Sequence, residues 1–179
     1  MSIIKDSQFP ICEFVPEPFT AAAVDEKIGD IEWLPSQVEF AISNLNEEHL
    51  HSPYRIGGWT IHELVHHIAD SHMNAFIRCK LCLSEINPVI KPYDENAWVK
   101  QADVVQLPVN VSTTLLHALH KRWVALLRSV GNEEWHRRVT HPEHGKEMTL
   151  WYMLCLYSWH GRHHVAHITN SPAYKRVNG

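Results

Sequence analysis

The segment WHGRHHVAH, residues 159–167, places four histidines in nine residues, and IHELVHHIADSH, residues 61–72, places four more of the 15 in the chain. Imidazole ligates transition metals through an unprotonated ring nitrogen and is an uncomfortable core residue. Two dense clusters therefore point first to a metal site. On a helical wheel of 100° per residue, the apolar row of Leu150, Met153, Leu154 and Tyr157 continues through His160 and His164 to Ile168. His167 falls near the edge of that row and His163 further off it. Two imidazoles four apart on one helical face can both reach a single ion.

The wheel decides less for the second cluster. His62, His66 and Asp70 share one side, expected to be a solvated polar ridge. His72 aligns with Val65, Ile68 and Phe76 on the apolar face, and His67 flanks it with Leu64, Ser71 and Ala75. Periodicity ranks His67 and His72 above His62 and His66 and does not choose between them. A lone inward histidine, such as His72 or His120 taken singly, is ordinarily a hydrogen-bonded core residue. Several unpaired imidazoles in one dry core carry a desolvation cost that a metal removes. The pair Cys79-x-x-Cys82 has no βαβ context and no second Cys pair, so both read as reduced core thiols rather than a redox or zinc motif. HPEHG, residues 141–145, reads as exposed loop histidines, and the seven tryptophans mostly as core.

Four helices must position these groups. Apolar spacing of three and four from Thr20 to Leu45 predicts the first, with Pro35 expected to kink or break it. Thr60-Ile61-His62-Glu63 fits a capping box and opens the second, which runs to about Ile86. Residues 87–110 carry three prolines and no period, a length that suits a covering or functional loop. The third helix spans about Ser112 to Val130, and the fourth runs from Thr149 as N-cap to about Thr169. No segment alternates over strand length. The expected fold is an all-α four-helix bundle with long connecting loops, a single domain over 1–179 whose residues 1–19 form an extended arm. A net charge of −4 without a basic run argues against nucleic acid. No signal peptide or membrane span is read, so the chain is expected to be cytoplasmic.

GGWTIHELVHHIADSHMNAFIR, IKPYDENAW, LHKRW, HPEHG and YSWHGRHHVAHI together resemble the YfiT branch of the DinB superfamily, in order and spacing, from about Tyr54 to Ile168. The resemblance implies a four-helix bundle, often homodimeric, with zinc or nickel held by one histidine of the second helix and a His-x-x-x-His pair of the fourth. By position these are His67, His160 and His164, and the choice of His67 over His72 rests on the resemblance. Ile56 departs from the family, which often has proline there.

Three histidines with open positions are the layout of a catalytic metal site. Such an ion lowers the pKa of a bound water to about 7, or holds a thiol as thiolate. The branch is described both as metal-dependent hydrolases and as transferases of a small thiol such as bacillithiol. Mycothiol- and glutathione-dependent relatives in the wider superfamily favour a thiol acting on an electrophilic substrate. A stress-related metal-binding protein without turnover is the third reading. No general base stands out, since Glu63 belongs to the cap and Asp70 to the ridge. His120 and Arg122 of LHKRW are candidates to line the pocket, with Arg122 suited to a carboxylate.

Overall fold

A computed structural model describes residues 8–142 and 145–179, so that His144 of HPEHG lies outside the described residues. The long helices are α1 (Ala21–Ile42), α3 (Ile61–Ser84), α6 (Val109–Arg128) and α7 (Leu150–Asn170). Short helices fill the connections: α2 (Glu47–Leu50), α4 (Glu95–Trp98) and α5 (Ala102–Gln106), with α8 (Pro172–Asn178) at the end. No helix among the described residues is long and apolar enough to cross a membrane.

In the bundle α1 packs against α6 and α7, and α3 packs against the same two. Helices α1 and α3 are thus diagonal, and the order around the bundle is α1, α6, α3, α7. The consequence for the site is direct, because the histidines of α3 face those of α7 across one interhelical seam. The core falls into two clusters. One is built on Trp123, Trp135, Leu150 and Leu154, and the other on Leu34, Val38, Leu64, Ile68 and Ile168.

Two expectations need correction. Helix α1 runs unbroken through Pro35. Proline removes the donor for the carbonyl four residues back, that of Ile31, and this carbonyl instead accepts a hydrogen bond from His120 Nδ1 at 2.5 Å. A two-stranded hairpin was also not expected: Arg138–His141 pairs antiparallel with Lys146–Thr149, in register Arg138 with Thr149. Each strand has four residues, too few for alternation to register as a pattern.

Starts of the site-bearing helices are set locally. Thr60 Oγ1 accepts from the Glu63 amide at 3.1 Å, and the Glu63 carboxylate accepts from the Thr60 amide at 2.8 Å, the capping box read from the sequence. Thr149 caps α7 by accepting from the Tyr152 amide. Cys79, Cys82 and Cys155 are buried thiols, and none of the four cysteines forms a disulfide. Burial pushes the Cys79 thiol up to about 12, which suits an inert core thiol rather than a redox centre.

Gly161 sets how closely α7 approaches α1. A Cβ there would lie 2.8 Å from Leu34 Cδ2 and 2.9 Å from Cδ1. Glycine inside a helix costs about 1 kcal/mol relative to alanine, and the close packing offsets that cost. Gly161→Ala is expected to lower stability by about 1 kcal/mol despite its better propensity, because overpacking typically costs ~1–3 kcal/mol. With Leu34→Ala added, the loss in the double variant should be smaller than the sum of the two single losses, as read by denaturant unfolding of all four chains of the cycle. A Gly161→Ala chain more stable than the parent would show that Leu34 swings aside freely.

Candidate metal centre

His67 of α3 and His160 and His164 of α7 each offer a ring nitrogen, and these atoms lie within 4.8 Å of one another. The two α7 nitrogens, both Nε2, are 3.1 Å apart. Two nitrogens sharing one ion at 2.0–2.1 Å are separated by about 2.9–3.4 Å for angles between 90° and tetrahedral, so the α7 pair already has the bite of a bidentate ligand. His67 is 3% exposed and His164 8%. Burial is the main cause that pushes His67 down to about 4, and it drives His160 and His164 well below the ordinary histidine value, with neighbouring imidazoles adding to the effect. All three are neutral at pH 7, with a lone pair available for coordination. The donor set fits a borderline-soft divalent ion.

A second triple, His163, His164 and His167, shares His164 with the first. The Arg55 guanidinium beside His163 and His167 adds positive charge there and opposes a cation. His163 stacks on Trp159 with centroids 4.4 Å apart, and His167 packs on Tyr54 at the same distance. The His67 triple carries no such penalty.

Beside that triple opens a cavity of about 510 Å³ whose other lining includes Arg55, Trp59, Glu95, Asn96 and Trp159. Its wall comes from two connections that carry no periodic signal, the 54–59 turn and α4, together with Trp159 and the histidines of α7. Trp59 packs on His67 with centroids 4.8 Å apart, and its Nε1–H donates to Asn96 Oδ1 at 3.2 Å. The tie holds α4 over His67 of α3. Arg55 donates through Nη1 to the Ile56 carbonyl, while its Nε is buried without a hydrogen-bond partner. The tryptophans are not mostly core: of the seven only Trp123, Trp135 and Trp151 are buried, Trp33 is exposed, and Trp59 and Trp159 are cavity wall. Their adjacency to the Gly-Gly pair and to His160 was the available signal.

The remaining candidates lie elsewhere. His72 is fully buried one turn beyond His67, bonded to His160 and His120. His120 is 1% exposed and borders a groove between α1 and α6, away from the 510 Å³ cavity. Arg122 is exposed, with its guanidinium 5.4 Å from the Phe76 ring. His62 and His66 do not form a solvated ridge. Both are buried because the segment leading into α6 crosses them, and each ring nitrogen Nε2 bonds to the Leu107 carbonyl. Asp70 beside them is raised to about 6 by burial and by the Asp103 carboxylate. A wheel drawn on α3 alone has no term for that covering segment.

The DinB superfamily model matches residues 30–168 of the chain. A relative from Bacillus cereus (strain ATCC 10987 / NRS 248), provisionally named a metal-dependent hydrolase, is 47% identical over 176 residues, 98% of this chain and 99% of its own length. A Bacillus thuringiensis subsp. konkukian relative, also provisionally named a metal-dependent hydrolase, matches with the same identity and coverage. Among solved structures, YfiT from Bacillus subtilis, described as a probable metal-dependent hydrolase with an unusual four-helix bundle topology, superposes with a TM-score of 0.91 at 41% identity, covering 96% of this chain and 97% of that one. With its bundle, its histidine seam and these relatives in agreement, this chain belongs to the DinB superfamily, in the YfiT-like branch.

Proposed function

We propose that His67, His160 and His164 hold one divalent ion, zinc or nickel, and that the chain is an S-transferase joining a small thiol of the bacillithiol type to an electrophile. The observation that carries the metal reading is the convergence of three neutral imidazole nitrogens at the wall of an open cavity. Three protein ligands leave a position for an exogenous group, as catalytic sites require. Bound there, such an ion supplies Lewis acidity, which lowers the pKa of a coordinated thiol or water.

The chain's own residues then orient the reactants. Arg55 has a buried donor without a partner on the cavity wall, a match for the carboxylate of a small thiol. Trp59 and Trp159 give the cavity two flat apolar walls for an electrophile. Glu95, held above the ordinary carboxylate range by partial desolvation against the pull of Arg78, sits where it can accept a proton from the incoming nucleophile. The thiol must come from solution, because none of the four cysteines lines the cavity.

Hydrolysis is the second reading, favoured by the provisional names of the relatives and by Glu95, which serves a water nucleophile equally well. One assay separates the two. A chloro-nitroarene or bimane is offered with bacillithiol, cysteine and glutathione in turn, beside a panel of esters and amides. Metal-dependent conjugation, abolished by chelation and by His164→Ala, is the expected result. Thiol-independent hydrolysis with the same dependence would replace transfer by hydrolysis, and silence in both panels would leave a metal-binding protein without turnover.

A further inference from the structure

Four polar groups, one from each long helix, form a continuous hydrogen-bonded line around the bundle. It begins at the Ile31 carbonyl of α1, left without an intrahelical donor by Pro35. His120 of α6 bonds that carbonyl through Nδ1, and its Nε2 lies 3.1 Å from Nδ1 of His72 on α3. His72 Nε2 in turn lies 3.2 Å from Nδ1 of His160 on α7. Ile31 and His72 are fully buried and His120 is 1% exposed.

The direction of every bond follows from its first member. A carbonyl can only accept, so His120 carries its proton on Nδ1 and presents a bare Nε2. His72 must then donate from Nδ1, which leaves its Nε2 as acceptor. His160 must donate from Nδ1, and its Nε2 is left bare. That is the nitrogen 3.1 Å from His164 Nε2.

We propose that His72 and His120 are positioning residues for His160, holding its ring with Nδ1 protonated and Nε2 open to an ion. Pro35 is the origin of the line, since it frees the one acceptor that fixes the polarity of all three rings. The inference rests on the reading of His160 as a ligand. A metal-ligating imidazole needs a partner on its far nitrogen to set tautomer and orientation, and here a second imidazole fills the place usually taken by a carboxylate or backbone carbonyl. His160 without that partner divides its single proton between two nitrogens, and the fraction on Nε2 cannot bind.

The test compares His72→Phe, which removes both bonds at similar volume, with His72→Gln, whose carbonyl can accept from His160 and whose amide can donate to His120. Zinc affinity is measured by competition with a chromophoric chelator. The His160 tautomer is read in the metal-free chain from the nitrogen shifts of labelled histidine, and folding from circular dichroism. We expect zinc affinity to fall by about 10- to 100-fold in His72→Phe and to recover most of the way in His72→Gln. Wild-type His160 should show Nδ1 protonated, and both tautomers should appear in His72→Phe. His120→Leu breaks the same line one step further out and should weaken zinc binding in the same direction, which keeps the test open if His72→Phe does not fold. Wild-type His160 protonated on Nε2, or His72→Phe and His120→Leu both binding zinc like the parent, would overturn the proposal alone. A wild-type chain that takes up no zinc would remove the ligand reading beneath it as well.

Discussion

His160→Ala and His164→Ala should each abolish tight metal binding while leaving the bundle folded. Structural zinc sites with four ligands gain about 10–16 kcal/mol, or roughly 3–4 kcal/mol per ligand, so one lost imidazole corresponds to a hundred- to thousand-fold weaker affinity. The fold should survive because the part of α7 that anchors it is apolar and intact. Leu150, Met153, Leu154 and Tyr157 are all buried, as is Ile168 beyond His164. What the parent chain loses on chelation is the linkage contribution RT ln(1 + [metal]/Kd), about 2.7 kcal/mol at a hundredfold excess over Kd. Metal content after dialysis and thermal unfolding with and without chelator check both halves. Stoichiometric metal in either variant would displace the ligand assignment, and loss of helical circular dichroism in the metal-free variants would make the ion structural.

The metal-free chain should lose stability steeply as pH falls from about 6.5 towards 4. Nine histidines (62, 66, 67, 72, 120, 160, 163, 164 and 167) are held below their ordinary value, each chiefly by burial. For such a group the unfolded chain binds a proton near pH 6.5 while the folded chain resists until a lower pH. In that interval the unfolded state holds more protons, so stability rises with pH and is lost on acidification. The interval extends to about 4 for His67, His120 and His163 and to about 3 for His167. His67 alone corresponds to an order of 3 kcal/mol, and a few such groups approach the roughly 5–15 kcal/mol that holds a domain folded. Asp70, raised to about 6, and Glu95, also raised by burial, act in the opposite direction, stabilising at low pH and losing that contribution as pH rises through their folded values, but they are two groups against nine. Unfolding near pH 5, followed by far-UV circular dichroism, is the expected result. Added zinc should move the midpoint lower, because ion and proton compete for the same lone pairs. A chain equally stable at pH 6.5 and pH 4 would contradict the buried, neutral state of the seam.

Local rules carried the long helices and two of the three histidines that the structure brings together as a candidate site. Helical spacing, the Thr60–Glu63 capping box and the Thr149 cap each depend on residues within one or two turns, and the structure has them where the pattern put them. The inward pair His160 and His164 was legible for the same reason, since both imidazoles share one face of one helix. Choosing His67 over His72 was beyond periodicity. The two differ by how far along the α3–α7 seam each imidazole meets the α7 pair, and a wheel contains no partner helix.

The sequence by itself thus determined four amphipathic helices, the capped starts of two of them at Thr60 and Thr149, a reduced set of core thiols and a histidine-rich pair of helices, because these follow from backbone periodicity and side-chain chemistry along one element. The tertiary structure decided what lies between elements. It placed α3 against α7, with α1 diagonal to α3. It buried His62 and His66 under the Leu107 carbonyl and turned Trp59 and Trp159 into cavity wall. It also joined Ile31, His120, His72 and His160 into one line across 129 positions of sequence, from 31 to 160. Hydrogen bonds of that span depend on which helices become neighbours, and burial depends on every segment that crosses a face, so neither is encoded in the pattern of a single helix.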